Sequence, residues 1–294
     1  MTRFARSMMV SALLLWCSAS SVAFATDLPP DKYDRSRYGL NFTLGSPIFD
    51  NPNTAGHNLN VYLEWAEQQG FAKEARVVCD PSWGPFVTAN WFPVFQSRGW
   101  KVSCVVGDHP AGWSTAEAYT TSHVSWVTAL VERWGPRGEN LLIMIEPMNE
   151  PWNRHVAFPK SWLRPYHLAI KHVANAHGLP VAAGYFSGQK DIAQSIWKYY
   201  RKAGFDWSVG GDVDIVVFNT TEKSSVSKVL RYLEEKIPSL ETRIVCTECG
   251  WKHLTKLPAS RFFVYTCIGE NTGKSHLNRC PESLPGLHFE GGQP

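Results

Sequence analysis

Residues Asn140 to Trp152 read NLLIMIEPMNEPW, and their reading decides the fold. Leu141-Leu142-Ile143-Met144-Ile145 is a continuous apolar run, the pattern of a strand buried on both faces. The chain then turns polar at Glu146, Asn149 and Glu150 and is stopped by Pro151. Three polar groups at the mouth of so apolar a strand are costly unless they are paired or used. Parallel α/β sheets and barrels present catalytic groups in this way, at the C-terminal ends of buried strands. The competing reading is a strand edge with solvated carboxylates.

Working outward, apolar strands alternate with helical patterns along the chain. Strands are predicted at Tyr38–Phe42, Ala75–Cys79, Lys101–Val106, Pro180–Tyr185, Val213–Phe218, Arg243–Thr247 and Arg261–Thr266. Helices are predicted over Asn58–Gly70, in a segment ending near Gly99, and over Thr115–Trp134, Tyr166–His177 and Asp191–Ala203. The clearest helical spacing is that of Val226, Val229, Leu230, Leu233 and Ile237, stopped by Pro238. Such alternation implies βαβ units and a parallel sheet. Three units separate Glu150 from Glu248, roughly 33 residues each, against about 31 in an eight-unit barrel. The predicted fold is therefore a single-domain (β/α)8 TIM barrel. A doubly wound open sheet is the alternative, but Leu44-Gly45-Ser46-Pro47 is not a dinucleotide-binding turn.

The first 25 residues carry Arg3 and Arg6, an apolar stretch and small residues Ala23 and Ala25. They read as a signal peptide, too short in its apolar part to span a membrane. Residues 26–294 would then form the barrel, exported to the periplasm or medium and monomeric. The net charge of +3 is nearly balanced and contains no Lys/Arg block, so nothing points to nucleic acid or a membrane surface. Thirteen Trp are many for packing alone, although most will fill the core. Six cysteines follow the leader, and export permits disulfides. Cys267 with Cys280 is the favoured bridge because it would tie down the C-terminal tail; the other pairings stay open. Cys246-x-x-Cys249 lacks the second pair or His cluster of a zinc site.

A second strand repeats the theme of the first. Thr242 to Trp251 reads TRIVCTECGW, again an apolar strand ending in an acid, Glu248. The string Ile145-Glu146-Pro147-Met148-Asn149-Glu150-Pro151 resembles the strand-4 motif of the glycoside hydrolase clan A enzymes. Thr247-Glu248-Cys249-Gly250-Trp251 is similar to that clan's strand-7 motif, Thr-Glu-x-Gly. The resemblance implies a retaining glycosidase, with Glu150 as acid/base, Glu248 as nucleophile and Asn149 on the sugar 2-hydroxyl. It further implies that Glu146 supports the acid/base and that Arg76 lies near the nucleophile. For Arg76 the competing reading is an arginine on the outer barrel surface. No cofactor and no metal follow from it.

Two carboxyls suit the chemistry, since one must donate a proton to the leaving oxygen while the other attacks the anomeric carbon. Trp83, Trp113, Trp152 and Trp251 fall in loops after strands and are candidate sugar platforms, each alone more often a packing residue. Two departures from the clan stand out. Strand 6 ends Phe218-Asn219-Thr220-Thr221, without the His and Tyr many members carry, and strand 8 lacks a Trp. Asn41-Phe42-Thr43 and Asn219-Thr220-Thr221 match glycosylation acceptors but lie at strand ends, where burial is expected. The expected activity is endo-β-glycosidic cleavage of a polysaccharide, a β-glucan or exopolysaccharide. A transglycosylase on the same site and an inactive glycan-binding barrel are the alternatives. A metal-dependent hydrolase is disfavoured by the lack of a His-Glu-x-x-His motif.

Overall fold

The structure, a computed structural model, describes residues 35–42, 51–153, 156–220, 226–249 and 261–265. Its eight strands are β1 (Tyr38–Phe42), β2 (Glu74–Val78), β3 (Lys101–Val105), β4 (Leu142–Glu146), β5 (Ala182–Ser187), β6 (Ile215–Thr220), β7 (Ile244–Cys249) and β8 (Arg261–Tyr265). All pair in parallel, in the order β4-β3-β2-β1-β8-β7-β6-β5. The two edges meet at an isolated bridge between Ile145 and Val181, where the Ile145 amide donates to the Pro180 carbonyl at 3.1 Å. The sheet thus curls into the predicted (β/α)8 barrel, with β4 and β5 joined by that short contact rather than a ladder.

Helices wrap the sheet. They are α1 (Ala55–Gln68), α2 (Gly84–Asn90), α3 (Phe92–Ser97), α4 (Ala116–Trp134), α5 (Lys160–Ala176), α6 (Lys190–Lys202) and α7 (Val226–Glu234). Strand alternation sorts the core into two layers. Leu40, Val77, Val102, Cys104, Ile145 and Val216 point outward and pack under the helices in the larger cluster. Met144, Ala182, Tyr185, Val217, Val245 and Phe263 form a separate cluster. Polar Asn41, Arg76, Ser103, Glu146 and Thr247 are buried as well.

Several boundaries shift by a few residues from the sequence reading, and two of the differences have a local cause. The segment before Gly99 is two short helices, because Pro85 and Pro93 each occupy a first turn, where the missing N–H is least costly. Helix α5 starts at Lys160, six residues ahead of the predicted Tyr166, with Pro165 inside it. Pro165 forfeits one helical bond, and burial of Leu163, Tyr166 and Ile170 offsets that loss. Asn41 and Asn219 are buried with their side-chain amides engaged, as expected of strand-end residues. Cys79 and Cys104 are buried free thiols. The signal peptide, Trp251, Cys267 and Cys280 lie outside the described residues. Among those described, no helix is long and apolar enough to cross a membrane.

Candidate active site

Arg76 on β2 settles inward and anchors the site. It is 2% exposed, and its guanidinium forks onto Glu146 at the end of β4, with Nε to Oε1 at 2.8 Å and Nη2 to Oε2 at 2.9 Å. The same side chain reaches Asn149 Oδ1 at 3.0 Å and Glu248 Oε1 at 3.4 Å. Burial alone would lower its pKa, but the charge and hydrogen bonds of Glu146, with Glu248 adding to them, raise it. One cation therefore serves two carboxylates from opposite sides of the barrel.

Glu146 is fully buried and takes two further bonds, from Ser103 Oγ and from the Tyr185 hydroxyl, both at 3.0 Å. Glu146 and Arg76 thus form a buried ion pair. Tyr185 was not singled out from the sequence, and local backbone explains why. The β5–β6 register slips between Ala183 and Phe186, and Gly184 and Tyr185 take φ of 116° and 53°. A bulge of this kind re-aims a side chain. Gly184 adopts the conformation without a Cβ penalty. Burial, then Glu146, push the Tyr185 hydroxyl well above its usual pKa, so it remains a donor.

The loop after β4 carries the two polar residues of the opening stretch. It is packed closely, since a Cβ on Gly107 would lie 2.1 Å from the Pro147 carbonyl, which also accepts from Tyr166 Oη at 2.8 Å. Asn149 donates to Glu248 Oε1 at 3.3 Å. Glu150 follows in the left-handed region, φ 42°, a strained setting for a non-glycine residue. Its Oε2 accepts from Asn153 at 3.0 Å and its Oε1 from Asn219 at 2.8 Å. No cation contacts Glu150 among the described residues.

Asn219 is the penultimate residue of β6, where the sequence departed from the clan pattern. Its Oδ1 accepts from Thr247 Oγ1 at 2.8 Å, which fixes the amide so that Nδ2 faces Glu150. Thr247 is the extra residue of a β7 bulge, for Phe218 pairs with Cys246 while Asn219 pairs with Glu248. Its carbonyl is held by Asn41 Nδ2 at 3.1 Å. The Glu248 side chain keeps 12% of its surface, so it borders the open mouth rather than the packed interior.

The candidate tryptophans divide. Trp83 is 43% exposed after an Asp80 turn that accepts from the Ser82 and Trp83 amides at 2.8 and 3.0 Å. Trp113 packs edge-on to Tyr119, with centroids 5.5 Å apart, and leans on His123. Trp152 is half-buried against the core. No group of three or more His, Cys, Asp or Glu that could hold a metal occurs among the described residues.

No protein-family model matches the sequence, and no curated protein matches it. Several solved structures share the fold. The catalytic domain of CelCCA aligns with a TM-score of 0.52 at 11% identity, over 86% of this chain and 90% of that one. XEG5A, a GH5 xyloglucan-specific endo-β-1,4-glucanase from a metagenomic library, solved with cellotriose, gives 0.52 at 12%, over 83% and 91%. A glucosidase from Croceicoccus marinus gives 0.50 at 10%, over 78% and 62%. At such identities the likeness establishes the fold alone.

Proposed function

We propose that this chain is an exported retaining β-glycosidase of glycoside hydrolase clan A, cleaving a β-glucan or related polysaccharide internally. One observation carries the reading: Glu150, in the loop after β4, and Glu248, on β7, lie at one barrel mouth in unlike surroundings, with Asn219 bonded to Glu150 and paired in register with Glu248. Glu248 lies against the Arg76 guanidinium, which favours the ionised form a nucleophile needs. Glu150 is instead held by two neutral amides, those of Asn153 and Asn219, with no cation against it among the described residues. The endo-β-1,4-glucanase among the fold neighbours supports the same substrate class.

The reaction follows from those positions. A sugar seated over Asn149 would present its 2-hydroxyl to that amide, a contact that strengthens in the transition state. Glu150 gives its proton to the glycosidic oxygen as that bond breaks, and Glu248 attacks the anomeric carbon to form a glycosyl ester. Glu150, now ionised, takes a proton from water, which displaces Glu248 with net retention. If a sugar hydroxyl replaces water, the outcome is transglycosylation. Arg76 and Asn149 hold Glu248 in line, and Glu146, itself held by Ser103 and Tyr185, holds Arg76.

Two variants assign the roles. Glu248→Ala should lose turnover on every substrate. Glu150→Ala should lose it on polysaccharide yet still form the glycosyl-enzyme from an aryl glycoside with an acidic phenol, because that leaving group needs little protonation. Azide, needing no base, should then release a β-glycosyl azide, readable by NMR. Equal losses on activated and natural substrates, with no retained azide product, would overturn the assignment.

A further inference from the structure

A groove of about 470 Å³ opens between the loop after β4 and α6, within the size range of small-ligand sites. Its apolar floor is formed by Trp152, Ile196 and Tyr199, and its rim by Lys160, Lys198 and Lys202. The lysines are set by local geometry: Lys198 and Lys202 stand four residues apart on one exposed face of α6, where like charges repel. Lys160, the first residue of α5, places its ammonium 5.5 Å over the Tyr199 ring. None of the three has a carboxylate at ion-pair distance among the described residues, and Asp191 is the single acid in the lining. The groove is thus an aromatic floor under an uncompensated positive rim.

It is also wired to the catalytic loop. The Tyr199 hydroxyl donates to the Pro151 carbonyl at 3.1 Å and to that of Phe158 at 2.9 Å. Pro151 follows Glu150 directly, and Trp152 is the next residue.

From this we propose that the groove binds an acidic sugar residue of the polysaccharide, a uronate, with its ring on Trp152 or Tyr199 and its carboxylate among the three lysines. The proposal rests on the glycosidase reading for the ligand being a glycan, and goes beyond it by naming a negatively charged polymer. A neutral glucan would satisfy the aromatic floor and leave the cationic rim unused, whereas a uronate satisfies both.

The test compares a β-1,4-linked mannuronate tetrasaccharide with cellotetraose by titration calorimetry, on the full protein and on Lys198→Gln/Lys202→Gln. The wild type should bind the acidic ligand at least about tenfold more tightly at low salt, and high salt should erase the preference. The double variant should lose the preference while hydrolysing a neutral aryl β-glycoside within about twofold of wild type, which shows that it is folded. Equal wild-type affinity for the two ligands, an unchanged preference in the variant, or equally tight binding of double-stranded DNA would each overturn the proposal. If lysine-dependent binding holds while no glycan is ever cleaved, the catalytic reading fails and this one stands. Cleavage of neutral β-glucan without acidic-ligand binding gives the reverse.

Discussion

Two buried arginines, Arg76 and Arg243, solve the same problem in opposite ways. Arg76, at the barrel mouth, spends its donors on side chains: Glu146, Asn149 and Glu248. Arg243, just ahead of β7, spends them on backbone carbonyls of Trp207 at 2.9 Å, Asp214 at 3.2 Å, Pro238 at 3.3 Å and also Val213. The pKa directions follow. Carboxylate partners raise that of Arg76, whereas burial, only partly offset by Asp214 and Asp206, lowers that of Arg243. A cation bound to carbonyls ties loops together. One bound to carboxylates fixes where negative charge sits, which is what a displacement reaction requires.

Arg76→Met should be the severest test of the contrast. It leaves Glu146 buried without its cation and should cost about 3–5 kcal/mol of stability, along with nearly all activity. Adding Glu146→Gln should recover much of the stability in urea unfolding and none of the turnover. If activity returned with stability, Arg76 would be structural like Arg243 and the distinction would collapse.

Arg243→Met should show the opposite profile. Four carbonyls lose a charged donor, for a loss of about 3 kcal/mol, while kcat/KM measured well below the melting temperature stays within about twofold. A selective fall in kcat would mean that the loops it ties also set the mouth.

Near Arg243 lies His167, whose Nε2 is 2.8 Å from the Asp212 carbonyl. Burial lowers its pKa to about 4, outweighing the bond to Asp212. A depressed histidine contributes stability that is full above its unfolded value, near 6.5, and declines as the pH falls toward 4. The loss should approach about 3 kcal/mol. Urea midpoints at pH 7 and 4.5 measure it, and His167→Gln should flatten that part of the profile. An unchanged slope in the variant would remove His167 as the cause.

The smallest effect should come from Asn219→Ala, about tenfold in kcat/KM, roughly 1.4 kcal/mol. Because Asn219 bonds Glu150, the loss should be larger on polysaccharide than on an aryl glycoside with an acidic phenol. A stability loss with equal effects on the two substrates would place Asn219 with the structural set.

Much of this was legible beforehand. The run Leu141–Ile145 and the one before Glu248 are local patterns, and burial on both faces leaves few alternatives to a parallel sheet. Both acids and Asn149 sit where those strands end. Arg76 was harder to place, because a strand buried on both faces gives no alternation from which to read inside and outside. Asn219 was noticed as a departure from the clan pattern and as a glycosylation acceptor match, not as a partner of Glu150, and Tyr185 not at all, since its direction comes from a bulge and a positive φ.

By itself, then, the sequence determined the alternation of elements, the barrel and the pair of glutamates, because hydrophobic periodicity and strand-end chemistry act over a few residues. Only the tertiary structure decided who holds whom. Arg76 to Glu248, Asn41 to Thr247 and Tyr185 to Glu146 are bonds between residues 172, 206 and 39 positions apart. Such bonds depend on register, bulges and barrel closure, none of which a local pattern encodes.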